Sequence, residues 1–562
     1  MRKFFFIALA WCVSCAYAQV PKWASKARKG IISIITYNKD NKILHTGNGF
    51  FVKDNGTAVA DYGLFVDAQR AVVIDADGKE HAVDCILGAN SIYDVVKFRI
   101  KTDKKVEPLA LATSPSATGS TVFLLPYASQ KDGVPQRGTV DASTKVEGKY
   151  TYYTLHLKTG EKNMSCPVAN TNGEIVGMIQ KSADNKTPDN SYAVDAHFAA
   201  DLSLTALSGM DYALNSIGIR KGLPENEEQA QVYLMMKASG APETYSSLIN
   251  DYVAQFPDSH EGYLRRATFR ITQNKDKNQE QYKLADEDIK KAIEVSKRKD
   301  DAYYNASKLI FQTVASGISY PEWNMEKALQ YIAEAIKLNP LPLYTQTEGD
   351  LYFAMKEYVK AYDCYDKVNH SNLRSAESLF SAARTKQLMG DNDNALALMD
   401  STVRSFGDVL TIKAAPYLFQ RGQMKAAMGK YREAVADYNE YEKLAPGNAS
   451  AEFYYIREQA EMQCRLYQQA LNDIEKAVGM QPQEVAFIVE QVSLYTRFNQ
   501  LDKAVEAAQK GLKLDDKNPD LYRMLGFCQL QLKQKAEGKK NLEKAKELGD
   551  KNAEDIIKKY AK

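Results

Sequence analysis

Hydrophobic and polar positions follow two different patterns along this 562-residue chain. Between residues 31 and 200 the apolar positions form short runs, separated by turn-prone sequences such as Asp54-Asn55-Gly56 and Asn172-Gly173. Runs of this length between turn signals are typical of β-strands, and several in succession indicate an antiparallel sandwich or barrel. The predicted strands are residues 31–35, 49–52, 71–74, 95–100, 121–125, 151–157 and 175–179.

After about residue 201 the chain is rich in helix-forming residues and poor in glycine. A small residue recurs there at intervals of 33 to 43 residues, as expected where the second helix of a repeated helical hairpin begins. These small residues are Ala285, Ala328, Ala361, Ala395, Ala434, Ala470, Ala504 and Gly538. Twelve residues before four of them stand Gly349, Ala383, Gly422 and Gly526, where paired helices would approach closely. Prolines at 340, 446 and 482 keep the same register and would stop the second helix.

The stretch from Gly429 through Ala434 to Pro446 resembles the tetratricopeptide consensus almost position by position. The resemblance implies a C-terminal all-α tetratricopeptide (TPR) superhelical solenoid of about eight to nine hairpins. Its concave face would bind a protein or peptide partner, although a solenoid can also act only as a spacer. We find no paired Lys/Asn pattern that would indicate capture of a C-terminal carboxylate, so the ligand stays open.

The N-terminus predicts export. Arg2 and Lys3 precede a short apolar run, and Ala16-Tyr17-Ala18 is a small-x-small cleavage site, so residues 1–18 are predicted to be a signal peptide. No later run is long enough to predict a membrane span. We therefore expect a periplasmic protein, with the cell exterior as the alternative. The 73 basic and 71 acidic residues nearly cancel, so no nucleic-acid partner is expected.

Cysteine and histidine spacing predicts no metal site and no cofactor. Five cysteines follow the predicted cleavage site, without a Cys-x-x-Cys pair. A Cys85–Cys166 disulfide is the only plausible one, because both residues fall in the first region, but buried free thiols are favoured. The cysteines are Cys85, Cys166, Cys364, Cys464 and Cys528.

Five short sequences in the first region resemble trypsin-like serine peptidases of the Deg/HtrA or glutamyl-endopeptidase kind. They are Gly-Asn-Gly-Phe-Phe-Val at 47–52, Ala-Asp-Tyr-Gly-Leu-Phe at 60–65, Tyr-Asp-Val-Val-Lys-Phe at 93–98, Asn-Met-Ser-Cys-Pro-Val at 163–168 with Asn-Gly-Glu-Ile-Val-Gly at 172–177, and Tyr-Ala-Val at 192–194. Their order and spacing fit one fold over roughly 170 residues. The resemblance implies an all-β trypsin-like double barrel.

The departures from that family concern its chemistry, in which a histidine takes the proton of a nucleophilic serine and an aspartate orients the histidine. Aligned on the flanking residues, Gly63 stands at the histidine position and Met164 at the serine position, and only Asp94 remains. Lys162 replaces the glycine of the oxyanion loop, so we expect a deformed oxyanion hole. A one-residue slip would make Ser165 the nucleophile, and Cys166 could act as a thiol, but no histidine falls at the required place.

Together these patterns predict a multi-domain protein. Residues 19–204 would form a trypsin-like pseudo-peptidase domain, residues 205–225 a linker, and residues 226–562 the TPR solenoid, with a divergent first hairpin at 226–258. The leading functional hypothesis is a non-catalytic protein-binding adaptor or scaffold, of unknown oligomeric state. The alternative is an atypical serine or cysteine endopeptidase whose repeats recruit substrate.

Overall fold

The computed structural model describes residues 20–127, 133–180 and 189–560. The predicted signal peptide, residues 1–18, lies outside these described residues. The described chain begins with the short helix α1, Ala24–Ala27, and continues into a β-rich region and then a helical region. By its internal contacts the chain divides into two compact units, residues 1–296 and 297–562.

The first six strands close into a barrel in the order β1-β2-β3-β6-β5-β4, with antiparallel pairing between neighbours. Alternate side chains, such as Ile32, Ile34 and Phe98, fill its interior. A tight turn joins β2 to β3, where Gly56 has a φ of +83° and Asn55 caps the Thr57 amide. The strands of this first barrel are β1 Ile31–Tyr37, β2 Ile43–Phe51, β3 Thr57–Ala60, β4 Arg70–Ile74, β5 Glu80–Asn90 and β6 Val95–Ile100.

The next six strands close a second barrel in the order β10-β11-β12-β9-β8-β7, again antiparallel. Its core includes Val122, Leu155, Val168 and Ile179. A separate cluster, with Phe50 of β2 and Met178 of β11, joins the two barrels. The strands are β7 Thr121–Leu124, β8 Gln136–Val146, β9 Tyr150–His156, β10 Pro167–Ala169, β11 Ile175–Gln180 and β12 Asn190–Asp195. The predicted trypsin-like double barrel is therefore present.

The segment after the second barrel packs against the first. Helix α2, Ala196–Asp201, follows β12, and α3, Tyr212–Asn215, lies in the region predicted to be a linker. Leu214, Ile217 and Ile219 share the core of the first barrel, so this segment is part of the barrel's packing.

Helices follow to the end of the described chain. They are α4 Glu227–Lys237, α5 Pro242–Gln255, α6 His260–Gln273, α7 Gln279–Val295, α8 Lys299–Ala315, α9 Met325–Leu338, α10 Pro342–Ala354, α11 Tyr358–Asn369, α12 Ala376–Leu388, α13 Asn392–Arg404, α14 Ala415–Ala427, α15 Tyr431–Leu444, α16 Ala451–Gln463, α17 Tyr467–Met480, α18 Val485–Arg497, α19 Leu501–Leu514, α20 Pro519–Gln531, α21 Lys535–Glu547 and α22 Ala553–Tyr560.

These helices pack in consecutive pairs, from α4 with α5 through α20 with α21. Helices α4 to α7 fall in the first compact unit and α8 to α22 in the second. The small residues predicted from the repeat lie where paired helices touch: a Cβ on Gly422 of α14 would come within 2.5 Å of the Tyr438 ring of α15. The fold of this region is the predicted all-α, TPR-like solenoid.

All five cysteines in the described chain are free thiols. Cys85 and Cys166, the one pair considered for a disulfide, are both fully buried free thiols, Cys85 in β5 of the first barrel and Cys166 directly before β10 of the second. Cys364 and Cys528 are also buried, whereas Cys464 is half-buried. No helix in the described ranges has the length and hydropathy needed to cross a membrane.

Candidate functional site

The structure brings Gly63 and Asp94 together. Gly63 lies in a single 3₁₀ turn, Tyr62–Leu64, directly after β3, and Asp94 lies in the turn before β6. The Gly63 amide donates a 2.7 Å hydrogen bond to Oδ1 of Asp94, whose backbone has a φ of +47°. A Cβ on Gly63 would lie 3.4 Å from Oδ1 and 3.8 Å from Oδ2 of Asp94. Position 63 thus faces the carboxylate but presents no side chain to it.

The loop that carries Met164 is held by hydrogen bonds within its own backbone and by hydrogen bonds from the first barrel. The Met164 amide donates to the Glu161 carbonyl at 3.3 Å, closing a 3₁₀ turn over Glu161–Asn163. Asn48 of β2 donates from Nδ2 to the carbonyls of Lys162 (2.8 Å) and Met164 (3.1 Å). The Met164 side chain is half-buried against the core of the second barrel. An oxyanion hole needs amide N–H groups that point into the cleft. The Met164 N–H instead donates to the Glu161 carbonyl, so it does not contribute to such a hole in this arrangement.

Ser165 and Cys166, the alternative nucleophiles, are both fully buried. Ser165 has a φ of +61°, and its Oγ accepts a 3.1 Å hydrogen bond from the Asp61 amide. Burial raises the pKa of the Cys166 thiol, and the nearby Asp61 charge raises it further. A buried thiol with a raised pKa carries little of the reactive thiolate at neutral pH.

Two of the four histidines of this region have side-chain partners away from Ser165 and Cys166. Nε2 of His81 lies 2.8 Å from Oδ2 of Asp75, and Nε2 of His197 lies 3.0 Å from the Ala112 carbonyl. His45 is in β2, and His156 ends β9. In the described part of the chain no hydrogen bond joins a histidine to Ser165 or Cys166.

Asp61 is a member of this site that the sequence analysis did not single out. Its side chain is almost fully buried and Oδ1 has no hydrogen-bond partner. Burial raises the pKa of Asp61 to about 7, the negative charge of Asp94 adds to the rise, and the hydrogen bond with Ser165 opposes it. The sequence feature that could have identified Asp61 is a single carboxylate directly after the buried strand Thr57–Ala60. The site thus combines two carboxylates, a buried hydroxyl and a buried thiol.

Comparison with known proteins bears on the fold of both regions. Residues 47–178 match the family profile described as the trypsin-like peptidase domain. The paired barrels are a trypsin-like double barrel. Residues 415–448 match the tetratricopeptide repeat, which corresponds to the α14–α15 hairpin. The chain therefore joins a trypsin-like domain to TPR repeats.

Among solved structures, this chain has a match to the Rv3671c protease from M. tuberculosis in its active form. The two chains share 15% sequence identity, and the match covers 32% of this chain and 82% of that one with a TM-score of 0.28. No curated protein sequence matches this chain.

Proposed function

We propose that this chain is an exported, non-catalytic adaptor in which the trypsin-like domain does not hydrolyse peptides and the TPR repeats bind protein partners. The observation that carries the proposal is Gly63, which faces the Asp94 carboxylate where the family's mechanism needs a proton-accepting imidazole. An aspartate in this mechanism only orients the base. Without an imidazole, Asp94 has no catalytic role to fulfil.

The nucleophile side of the site supports the same proposal. Met164 offers a thioether, which has no proton to lose and cannot serve as an oxygen nucleophile. Ser165 and Cys166 are both fully buried, so a substrate carbonyl would not reach them. Losing both base and nucleophile typically removes several orders of magnitude in rate.

The helical region supports the binding part of the proposal. TPR hairpins stack so that their helices present an extended surface to a peptide or protein segment. We propose that this chain uses the concave face of its solenoid in that way, outside the cytoplasm and most naturally in the periplasm, as its predicted signal peptide implies.

The proposal is tested by labelling purified residues 19–562 with a fluorophosphonate probe and with a thiol-directed probe, beside a broad peptide-library cleavage assay. A competent trypsin-like peptidase serves as the positive control, and Ser165→Ala and Cys166→Ala are the matched variants. We expect no specific labelling and no cleavage. Labelling or cleavage that either variant abolishes would instead establish an atypical endopeptidase whose repeats recruit substrate.

A further inference from the structure

A cavity of about 450 Å³ lies among three helices of the first compact unit. Ile249 of α5, Phe269 of α6 and Leu284 of α7 give it an apolar lining, to which Arg270 of α6 adds a guanidinium group. All of its lining residues fall between positions 246 and 284, within the range 189–560 that the structure describes without a gap. A volume of this size is typical of pockets that enclose a ligand.

Two arginines of α6 share one aspartate beside this cavity. Arg266 binds the Asp288 carboxylate closely, through Nε at 3.0 and 3.2 Å and through Nη2 at 2.6 Å. Arg270 approaches the same carboxylate only through Nε, which lies 3.5 Å from Oδ2. Because the charges of Arg266 and Asp288 cancel, Arg270 brings one surplus positive charge to the cavity.

Hydrogen-bond donors surround the apolar lining. The Arg270 side chain is 21% exposed, and within the described ranges its two terminal Nη groups donate no hydrogen bond. The amide side chains of Asn250 and Gln273 also line the cavity and offer further N–H donors. The remaining charged residues of the lining, Lys275 and Asp276 in the α6–α7 loop, have opposite charges. The cavity therefore combines an apolar lining with donors and one cationic group.

A carboxylate is the anion that fits this set of groups. It carries one negative charge, which matches the surplus charge of Arg270, and its two oxygens match the paired N–H groups of a guanidinium. A phosphate monoester carries about −1.5 to −2 charges at neutral pH. Since Arg266 is held by Asp288, such a phosphate would lack a second cation here. The apolar lining favours an apolar group next to the carboxylate.

We propose that this cavity recognises an acidic side chain, aspartate or glutamate, of the partner protein. The carboxylate pairs with the Arg270 guanidinium, the amides of Asn250 and Gln273 donate to it, and an adjacent apolar residue packs against Phe269 and Leu284. The inference rests on the proposed partner binding by the helical region and names one group that helices α5 to α7 recognise. Because Arg270 is partly exposed to solvent, the affinity should fall as the salt concentration rises.

The test uses residues 19–562 with ¹³C-labelled isoleucine methyl groups, because Ile249 lines the cavity and its methyl resonance reports on occupancy. The probes are two blocked pentapeptides, Ala-Leu-Glu-Leu-Ala and the same peptide with glutamine, the uncharged isostere, in place of glutamate. Loss of one resonance in Ile249→Val assigns the signal. We expect the glutamate peptide to shift the Ile249 resonance saturably, with an affinity about tenfold above that of the glutamine peptide.

Two variants and a control separate the contributions. Arg270→Gln leaves the Arg266–Asp288 pair in place and should abolish the preference for glutamate. The control is Arg265→Gln, which changes the preceding arginine of α6, also half-buried but outside the cavity lining, and should keep the preference. Ser246→Glu keeps Arg270 but adds a negative charge to the lining, so it should weaken binding of the glutamate peptide even if Arg270→Gln disturbs the fold.

Equal affinity for the two peptides, or an unchanged preference in Arg270→Gln, would overturn the inference. That failure is distinct from failure of the proposed function. Specific labelling by the activity probes contradicts the adaptor whatever the peptides do, whereas absent labelling with no preference for glutamate contradicts only the recognition of an acidic side chain.

Discussion

At the scale of single residues, Glu458 has an unusual position in α16. It stands twelve residues before Ala470, the register at which other repeats have glycine or alanine, and it is fully buried. Its Oε1 has no hydrogen-bond partner. Burial raises the pKa of Glu458 to about 8, and the nearby Glu490 charge adds to the rise. The neighbouring Arg457 is already paired with Asp473 and Glu442, so it does not offset this cost.

The stability of the second compact unit should therefore depend on Glu458 and pH. The folded chain holds the Glu458 proton up to about pH 8, whereas the unfolded chain releases it near 4.5, so the stabilisation present below pH 4.5 is lost as the pH rises toward 8. Glu458→Gln keeps the shape and the neutral charge. We expect it to match the native chain near pH 5 and to exceed it by on the order of 2 kcal/mol at pH 8. Thermal unfolding followed by circular dichroism measures the difference.

The matched control is Glu543→Gln, which changes an exposed glutamate of α21. It should alter unfolding little at either pH. A Glu458→Gln variant that is no more stable at pH 8 than at pH 5, relative to the native chain, would show that Glu458 is ionised in the folded protein.

At the scale of elements, an arginine in the first helix of a hairpin joins three helices in at least three places. Arg421 of α14 makes a bidentate pair with Asp437 of α15 and reaches back to Asp400 of α13. Arg457 of α16 repeats this, with Asp473 of α17 and Glu442 of α15. A third case occurs in the first unit, where Arg266 of α6 binds Asp288 of α7 and Asn250 of α5. Each arginine thus fixes its own hairpin and the contact with the preceding one.

Arg457→Met should destabilise the second unit strongly. It leaves the carboxylate of Asp473, only 4% exposed, with the Lys476 ammonium at 3.8 Å as its remaining cation, and breaking a buried pair in this way costs up to about 3–5 kcal/mol. The double variant Arg457→Met/Asp473→Leu should recover much of that loss, because an apolar pair of similar volume leaves no buried charge. Denaturant unfolding followed by circular dichroism gives both values.

The comparison variant is Lys510→Met. Lys510 pairs with Glu506 one turn away on α19, and both side chains are 67% exposed, so its loss should change stability by less than about 1 kcal/mol. If Arg457→Met costs no more than Lys510→Met, the buried arginine pairs do not stabilise the stack.

The helical elements were more predictable from sequence than the strands. Each hairpin needs a small residue where its helices touch, and such residues recur at a readable interval, as Gly422 against Tyr438 illustrates. The pattern of apolar runs missed β3, β5, β8, β10 and β12, of which β3 and β10 are only four and three residues long; in β8, residues 141–145 are all exposed. Local hydrophobicity does not reveal strands whose pairing partners, rather than their own burial, hold them in place.

The candidate site likewise contains residues that the sequence predicts and residues that only the structure reveals. Gly63 and Asp94 could be placed from motif spacing alone, because Gly63 follows the motif at 47–52 at the family's spacing and Asp94 directly precedes the predicted strand at 95–100. The roles of Asp61 and Asn48 could not, since each depends on a contact between the two barrels: Asp61 with Ser165, and Asn48 with the carbonyls of Lys162 and Met164. These contacts join residues that are 104 to 116 positions apart in the sequence, and no local sequence pattern predicts them.

At the scale of the whole molecule, the compact units do not end where the character of the sequence changes. Composition changes from strand to helix near residue 201, but the first compact unit extends to residue 296. Arg220 lies between Asp84 of β5 (2.6 Å) and Asp251 of α5 (2.5 Å), so it connects the barrel to the helices. The buried Lys97 of β6 pairs with Glu225, and Leu223 shares a core with α4 and α5.

These contacts predict that the barrels are more stable with helices α4 to α7 than without them. A truncated form that ends at residue 225 keeps every strand but loses Asp251, the helices that cover Leu223, and the bond from Gln255 Nε2 to the Pro224 carbonyl. Residues 20–225 should therefore unfold at a lower temperature than residues 20–296 when both are followed by near-ultraviolet circular dichroism. Asp251→Ala in the longer form removes one partner of Arg220 alone, and it should lower the midpoint by part of that difference. Equal midpoints for the two forms would mean that the barrels gain nothing from these helices, and that the change in composition near residue 201 marks the boundary of stability after all.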